Sequence, residues 1–448
     1  MRWNWIDILN FVYVYPFVMS LFWVSVGLRY FVNYVRGNAS YVESGQIPTL
    51  PYHPFVSILV PCYNEEATAE ETIVNLFKYT NYPNYEVICI DDGSKDKTWE
   101  VLERVYNSGR FPGLRIIRVV HNAGKAHALT QGAIAAKGEY LLGVDADSFL
   151  GEEAMTLLVA NMMGLHNQVD YYLGRNRKGI GAVTGNPLVR NRSTLLAKLQ
   201  VAEYASVIGL IKRAQRVYGR IGTVSGVCVL FRRRALMDVG WWDQDMITED
   251  IAVTSKLQLG GWEVHYEPGA RCWMLVPESV KGLWAQRVRW AQGGIEVLAR
   301  NFPVFWHPKQ WAQLPVILEQ LISVVWTFLW YISIGVFLYQ WLWLGALNWV
   351  AVSLGGLLVV VCMIQLAVST RFARRYDPGV RRYIWWAAWY PFIYWFLNPF
   401  TLTRALPKAI RAIRRGGQAV WTSPDRGLTT AAQTNSAAVA PSAGTTAP

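Results

Sequence analysis

The sequence predicts an α/β domain with a parallel β-sheet, inserted between transmembrane α-helices. Between residues 55 and 145, short apolar runs typical of strands alternate with segments of helical periodicity, which is the pattern of a parallel sheet with helices on both faces. On either side of the central region lie apolar stretches of roughly the ~20 residues that a bilayer-crossing helix needs. A hydrophobic fraction of 52%, with 22 tryptophans, agrees with a chain lying partly in lipid.

The charge of the chain is strongly positive, with 43 Lys and Arg against 31 Asp and Glu. Such an excess suits either nucleic acid or an anionic membrane surface. The basic residues cluster beside the apolar stretches, as in residues 371–382 and 411–415, so the sequence favours a lipid bilayer as partner and no nucleic acid. The five cysteines are scattered without a C-x-x-C spacing, which indicates neither a zinc site nor a disulfide framework.

The N-terminal part, residues 1–36, is predicted to be a transmembrane anchor built on the apolar stretch 8–32. No small-residue cleavage site follows it, which favours an anchor over a signal peptide. Arg29 and Arg36 at its far end favour a cytoplasmic location for that end. A proline-containing linker over residues 37–54 then leads to the α/β domain, predicted over residues 55–280.

The first four predicted strands cover residues 55–60, 85–90, 115–120 and 140–144. Helices are predicted between them at 67–79, 97–106 and from Gly124 to Ala136. Because ligands bind beyond the carboxyl ends of such strands, the polar residues that follow each strand are candidate site residues.

The second half of the chain is less regular. Strands are predicted at 180–185 and 227–231, a long helix at 193–214 and an interfacial helix at 281–300, within an interfacial region spanning 281–312. Three apolar spans follow at 315–342, 346–369 and 383–403, making 313–406 a transmembrane region. The last span contains Pro391 and Pro399, so crossing and re-entrant arrangements both stay open. Residues 407–448 read as a basic and then disordered tail.

Asp145 and Asp147 directly follow the apolar strand 140–144. Two carboxylates in this position predict a divalent metal shared with substrate phosphates, since Mg²⁺ binds through a few carboxylates and phosphate oxygens. The alternative is a solvated Asp-Ala-Asp-Ser turn.

Asp92 follows the second strand, and Tyr63 and Glu65 follow the first. A carboxylate here can accept hydrogen bonds from a base or a ribose, and Tyr63 can stack on a base. The alternatives are an Asp-Gly turn and a structural tyrosine. Gly124-Lys125 opens a helix, where backbone N–H groups and a lysine suit an anionic ligand.

Glu249 and Asp250 precede a helical stretch, with Thr248 as a suitable N-cap and the two acids favourable in the first turn. The functional alternative makes one of the acids a general base. Downstream, the run from Gln286 to Trp290 is either an interfacial Trp/Arg belt or a binding site, in which Arg289 meets a diphosphate and Trp290 packs under a sugar.

The order of these motifs resembles that of a known enzyme family. Asp-Asp-Gly, Asp-Ala-Asp, Thr-Glu-Asp and Gln-x-x-Arg-Trp occur in this order between membrane spans, and over residues 55–300 the chain resembles the processive family-2 glycosyltransferases with a GT-A (Rossmann-like) fold. Residues 181–219, 223–227, 245–259, 281–294 and 421–427 are similar, more closely, to the bacterial poly-β-1,6-N-acetyl-D-glucosamine synthases, which make a biofilm exopolysaccharide.

The resemblance implies UDP-N-acetylglucosamine as donor, a growing β-linked polysaccharide as acceptor and Mg²⁺ or Mn²⁺ as cofactor. It implies that Asp92 holds uridine with Tyr63 and Glu65, and that Asp145 and Asp147 bind the metal–diphosphate. In the Thr-Glu-Asp motif, Asp250 with Glu249 beside it would deprotonate the acceptor. The other residues implied for donor or acceptor binding are Lys125, Arg289, Gln286, Trp290, Ser225 and Gly226.

The resemblance also implies a multi-pass protein of the bacterial inner membrane, with a cytoplasmic catalytic domain, a polymer exit path and a small membrane accessory subunit. A sister synthase of hyaluronan, chitin or cellulose remains the alternative, because it shares the same motifs. A transporter or receptor with a degenerate nucleotide-binding domain is disfavoured, since every expected catalytic acid is present.

Overall fold

The computed structural model describes residues 5–32, 47–165, 178–345, 347–387 and 389–419. At its centre is one eight-stranded sheet with strand order β3-β2-β1-β4-β7-β6-β8-β5. In chain order the strands are β1 (Val56–Cys62), β2 (Tyr85–Asp92), β3 (Leu114–Val119), β4 (Tyr140–Val144), β5 (Phe149–Leu150), β6 (Ile180–Val189), β7 (Cys228–Arg232) and β8 (Glu263–Met274).

The first half of the sheet is parallel, as predicted. Strand β1 pairs with β2 on one side and β4 on the other, and β2 pairs with β3. Both β1 and β4 are buried along their whole length, which explains why their sequences are apolar rather than alternating. Because β1, β2 and β4 are parallel, their carboxyl ends lie at the same edge of the sheet. The residues that follow Cys62, Ile90 and Val144 are therefore brought to this carboxyl edge.

The second half of the sheet, for which no strand direction is predicted, is mixed, because β7 runs antiparallel to both β4 and β6. Strand β8, which pairs with β6, was not predicted. It contains Pro268 and Gly269, which normally end strands. Here the pairing shifts register between Thr184 and Asn186, and the Asn186 side chain donates to the Pro268 carbonyl at 3.0 Å. The two-residue strand β5 was too short to predict.

The helices are α1 (Trp5–Phe31), α2 (Ala69–Tyr79), α3 (Thr98–Asn107), α4 (Lys125–Ala135), α5 (Ala154–Met162), α6 (Leu195–Tyr204), α7 (Ile211–Tyr218), α8 (Arg233–Asp238), α9 (Glu249–Leu259), α10 (Val280–Asn301), α11 (Leu314–Trp343), α12 (Trp349–Ala373), α13 (Ile384–Ala387) and α14 (Tyr390–Arg415). Helices α2, α3 and α5 pack on one face of the sheet, and α4, α8 and α9 pack on the other. A six-residue π-helical segment, Ala205–Leu210, interrupts the predicted long helix between α6 and α7.

Three helices in the described part of the chain are long and apolar enough to cross a membrane: Phe11–Phe31, Pro308–Trp343 and Trp349–Ala373. The fourth predicted span, 383–403, falls on α13 and the first half of α14 and is not among them, so its arrangement stays open. Helix α14 packs along α10. Residues 37–46 of the predicted linker and the tail from residue 420, including 421–427, lie outside the described residues.

Candidate active site

Lys125 brings two distant motifs together at the carboxyl edge of the sheet. Its Nζ lies 2.6 Å from Asp145 Oδ1 and 3.2 Å from Glu249 Oε1. The Asp-Ala-Asp turn and the start of α9 therefore meet on one ammonium, although about a hundred residues separate them in sequence. Burial acts to lower the pKa of Lys125, but the charges of Asp145 and Glu249 raise it above its ordinary value, so the lysine is cationic.

Local structure holds both Lys125 and the turn that contains Asp145 in position. Lys125 is the first residue of α4 and follows Gly124, whose φ of 93° favours glycine. The turn after β4 is held by the Thr72 hydroxyl, which donates to the Ala146 carbonyl at 2.8 Å. In the same turn the Ser148 amide donates to the Asp145 carbonyl at 3.0 Å.

Asp250 lies beside this cluster, in the first turn of α9, and its Oδ1 accepts a hydrogen bond from the Ile251 amide at 2.9 Å. Burial, assisted by the charge of Glu249, raises the pKa of Asp250 to about 6, while Lys125 and Lys212 act in the opposite direction. A carboxylate that titrates close to neutral pH is suited to general base catalysis.

Thr248 occupies the N-cap position of α9, but its side chain makes no capping hydrogen bond. The predicted N-cap position of Thr248 is confirmed, while its buried hydroxyl has no hydrogen-bond partner among the described residues. Helix α10 lies close to this hydroxyl, since an added Cβ on Gly293 would lie 2.0 Å from Thr248 Oγ1.

The Ser225-Gly226 segment forms another wall of the cluster. A Cβ added to Gly226 would lie 3.2 Å from Lys125 Nζ and 3.4 Å from Glu249 Oε1. The Ser225 hydroxyl accepts a hydrogen bond from Lys212 Nζ at 2.5 Å. Lys212 was not predicted as a site residue, because a lysine on a helix gives no signal in sequence. Burial lowers the pKa of Lys212 to about 7, against the charge of Asp250.

The carboxylates at this edge fit a divalent metal. Asp147 is 4% exposed, and its Oδ1 accepts a hydrogen bond from the Ser148 hydroxyl at 3.0 Å. Within the described residues no group of three or more His, Cys, Asp or Glu side chains could hold a metal. Two carboxylates, one of them shared with Lys125, suit an ion that takes its other ligands from a diphosphate and water.

At the far end of the edge, Asp92 holds the turn that precedes Lys125. Its carboxylate accepts hydrogen bonds from the amides of Ala123 at 3.1 Å and Gly124 at 2.9 Å. Burial raises the pKa of Asp92, and these hydrogen bonds oppose the rise. The C-terminal segment also reaches this turn, since a Cβ on Gly124 would lie 2.2 Å from the Ala419 carbonyl oxygen.

Tyr63 and Glu65 lie at the end of β1 and are both buried. Glu65 Oε2 accepts a hydrogen bond from the Thr68 hydroxyl at 2.8 Å, and its amide donates to the Thr98 hydroxyl at 2.7 Å. These contacts hold the starts of α2 and α3. A role for either residue in nucleoside binding stays a prediction.

Helix α10 carries Gln286, Arg289 and Trp290 to the site. The guanidinium over the Trp290 ring belongs to Arg287, whose Cζ lies 4.5 Å from the ring centroid. Arg287 also pairs with Glu203 Oε2 at 2.8 Å. The prediction had singled out Arg289 and missed this pair.

Tyr204 connects α10 with the Asp-Ala-Asp turn. Burial raises the pKa of Tyr204, and its hydroxyl feels the charges of Arg287, Asp147 and Arg289 among others, which places these residues around one position. Among the described residues the Tyr204 hydroxyl and the Gln286 Oε1 atom have no hydrogen-bond partner. Buried polar atoms without partners are available to a polar ligand.

Comparison with known proteins identifies the family to which the chain belongs. The model of the glycosyl transferase family 2 matches residues 57–240. The poly-β-1,6-N-acetyl-D-glucosamine synthase of Staphylococcus aureus (strain COL) is 36% identical over 426 residues, which are 94% of this chain and 98% of that protein. The synthase of Staphylococcus epidermidis (strain ATCC 35984) is 38% identical over the same shares.

Among solved structures, the mannosyltransferase PcManGT from Pyrobaculum calidifontis, in complex with GDP-Man and Mn²⁺, superposes with a TM-score of 0.56 at 20% identity. The match covers 90% of this chain and 99% of that one, and it confirms the predicted GT-A fold. The resemblance inferred from the order of the motifs is confirmed as well. The chain belongs to the family 2 glycosyltransferases and, within them, to the family of the poly-β-1,6-N-acetyl-D-glucosamine synthases.

Proposed function

We propose that this protein polymerises N-acetylglucosamine from UDP-N-acetylglucosamine into a β-1,6-linked chain at the bacterial inner membrane. Its similarity to named synthases over nearly the whole chain supports the product. The observation that carries the chemistry is the meeting of Asp145 and Glu249 on Lys125, with Asp250 alongside. The Asp-Ala-Asp turn and an acid with a raised pKa thus lie together at one edge of the sheet, which supports metal binding and general base catalysis at the same site.

Donor binding follows from the positions along this edge. Asp92, with Tyr63 and Glu65 nearby, would hold the uridine end, and Asp145 and Asp147 would hold Mg²⁺ or Mn²⁺ with the diphosphate. A bound ion neutralises the charge that develops on the departing diphosphate. Arg289 adds a guanidinium suited to phosphate oxygens, and Lys125 keeps the neighbouring carboxylates in position.

Glycosyl transfer requires one proton to leave the acceptor hydroxyl, and Asp250 accepts it. The freed oxygen attacks the anomeric carbon from the face opposite the diphosphate, and the bond from that carbon to the diphosphate oxygen breaks. The α-linked donor thus yields a β-linked product. Glu249 holds Lys125, and Gln286, Trp290, Ser225 and Gly226 would contact the acceptor sugars.

A cavity between the apolar helices supports an exit path for the polymer. It has a volume of about 280 Å³ and lies between α1, the π-helical segment, α11 and α12. Polar side chains (Ser20, Glu203, Ser206, Gln365 and Asn398) share its lining with Trp23 and Trp326. Sugars pack on tryptophan rings and bond to such polar groups, whereas a bare hydrocarbon interior offers neither. Glu203 places one end of the cavity next to Arg287 and Trp290.

The function is tested in membrane vesicles containing the full chain, supplied in turn with each labelled UDP-sugar. We expect polymer from UDP-N-acetylglucosamine alone, degraded by a β-1,6-specific hexosaminidase and resistant to hyaluronidase, chitinase and cellulase. Sensitivity to one of the latter enzymes would instead identify a sister synthase. The small accessory subunit implied by the resemblance stays a prediction.

A further inference from the structure

A basic cavity lies away from the candidate active site, where α7 of the α/β domain meets the ends of two apolar helices. Its volume is about 360 Å³, within the ~300–1,000 Å³ typical of ligand pockets. Its lining consists of four arginines and four aromatic residues: Arg213, Arg371, Arg374, Arg375, Tyr30, Phe31, Phe372 and Tyr376.

The position of this basic cavity is at the membrane boundary. Two of the helices able to span a bilayer end here, one at Phe31 and the other at Ala373. The rings of Phe31 and Phe372 stack across the two helix ends with centroids 5.3 Å apart. Aromatic residues at the ends of membrane spans lie at headgroup level, so a bilayer crossed by these two helices would place the cavity among the lipid headgroups.

The described lining of the basic cavity includes no acidic residue. The nearby Asp377 pairs with Arg192 at 2.8 Å. In the part of the chain that the structure describes, Arg371 and Arg374 have no acidic partner within ion-pair distance. Several guanidinium groups around one space repel each other, and an anion between them removes that repulsion.

Arg213 lines one side of the cavity and is held in position by burial and a hydrogen bond. It is 2% exposed, and its Nη1 donates to the Gly209 carbonyl at 3.0 Å. The ring of Tyr376 lies 5.3 Å from its Cζ. Planar guanidinium groups held in place in this way are suited to the paired oxygens of a phosphate.

We propose that the basic cavity binds a phosphate ester group at the membrane surface. Anionic phospholipids and soluble phosphates share this chemistry. Basic pockets between membrane helices on the cytoplasmic side are known binding places for anionic headgroups, and the position between two span ends favours the lipid. The site is independent of the polymer that the enzyme makes.

The experiment measures binding to the purified full chain in detergent at physiological ionic strength, by isothermal titration calorimetry. Dihexanoyl phosphatidylglycerol is titrated as the anionic lipid, and inorganic phosphate is titrated as the soluble phosphate. Dihexanoyl phosphatidylcholine serves as the comparison lipid without net charge. We expect phosphatidylglycerol to bind more tightly than phosphatidylcholine. The double variant Arg371→Gln, Arg374→Gln should weaken phosphatidylglycerol binding about tenfold or more, because two charge-assisted contacts are lost.

The matched control is Arg381→Gln, Arg382→Gln, which removes the same charge at equally exposed positions that do not line the cavity. We expect its affinity to stay within about twofold of the unmodified chain, since charges outside the cavity act on the bound anion only through screening solvent. Inorganic phosphate that binds in the same variant-sensitive way would support the site and assign it to a soluble phosphate. Equal losses in the two double variants, or no anion binding at all, would overturn the proposal.

Discussion

At the scale of single residues, Asp250 has the properties that a general base requires. Its pKa is raised to about 6, so it is ionised at neutral pH and still basic enough to take a proton. The ionised form is the active one, so activity should rise with pH through about 6. Asp250→Asn should lower the rate of UDP release by ~10²–10⁴-fold and remove this rise.

The measurement is UDP release from UDP-N-acetylglucosamine in vesicles, recorded from pH ~5 to ~8, the range in which a group with this pKa changes charge. A donor-binding assay on the same vesicles controls for folding. A variant that polymerises at a normal rate while remaining folded would remove Asp250 from the mechanism.

Burial raises the pKa of Asp250, and Lys212 is one of the charges that oppose the rise. Its positive charge favours the carboxylate form of Asp250 and lowers the pKa of that group. Lys212→Met removes the charge, so the acidic limb of the activity profile should move to higher pH, by about half a unit or more. The control is Lys198→Met on the neighbouring helix α6, where the lysine lies over Trp386. An unchanged acidic limb in Lys212→Met would show that the two groups are not coupled.

Asp147 is one of the two carboxylates that we propose hold the metal ion. Asp147→Asn keeps the shape of the side chain but removes a carboxylate, so we expect about a 100-fold loss of activity with a raised requirement for Mg²⁺ or Mn²⁺. Activity is titrated with each ion after chelation. Asp238→Asn, at an exposed ion pair with Lys178, serves as the control. Normal activity of Asp147→Asn in the presence of chelator would contradict the metal role.

Whether a site residue could be predicted depended on where it lies in the sequence. Asp92, Asp145 and Asp147 follow apolar strands, and carboxylates there are conspicuous because the strand itself is buried. Lys212 and Tyr204 lie within helices, where a lysine or tyrosine is ordinary. Their contacts with Ser225 and with the surroundings of Asp147 exist only after the sheet has brought β4, α7 and α10 together.

At the scale of elements, the approach of α10 to the start of α9 depends on Gly293. A Cβ there would lie 2.0 Å from Thr248 Oγ1 and 2.3 Å from Thr248 Cγ2, so Gly293→Ala must push the two elements apart. Asp250 is two residues from the contact, and a displacement of ~1 Å can cost ~10²-fold in rate. We therefore expect Gly293→Ala to lower the turnover number strongly, measured as UDP release at saturating donor.

Gly294 offers the matched control one residue further along the same helix. A Cβ at Gly294 would meet nothing within 4 Å, so Gly294→Ala should keep activity while stabilising the helix by ~0.5–1 kcal/mol. Thermal unfolding in detergent checks the second expectation. Equal activity of the two alanine variants would show that the contact with Thr248 does not position the base.

The parallel half of the sheet could be predicted, and so could strands β6 and β7 of the second half, while β5 and β8 could not. Strands β1 to β4 are separated by clear helical periods, and each is bounded by turn residues. Strand β8 contains Pro268 and Gly269, and only its pairing with the irregular strand β6 accommodates them. Local sequence preference favours a turn there, and tertiary pairing overrides it.

At the scale of the whole molecule, we propose that the polymer made at the sheet edge leaves through the cavity between the apolar helices. Ser323 on α11 lines this cavity, so Ser323→Trp should narrow the path and yield shorter labelled polymers with unchanged donor binding. Polymer length is measured by gel filtration. Gly335→Trp places the same side chain at an exposed position of α11, outside the cavity, and should leave the length unchanged. Polymers of normal length from Ser323→Trp would separate the cavity from the export path.

Helix α10 is in contact on several sides at once. It contains Gln286 and Trp290, and it contacts Thr248 through Gly293. Its last residue, Asn301, donates a hydrogen bond to the Ser255 hydroxyl at 2.7 Å, and the helix packs along α14. A helix constrained in this way tolerates few substitutions. In a library of random variants, neutral changes in this helix should therefore be confined to outward positions such as 281, 284 and 285. Changes that alter acceptor specificity should arise instead in the loops at the carboxyl edge of the sheet.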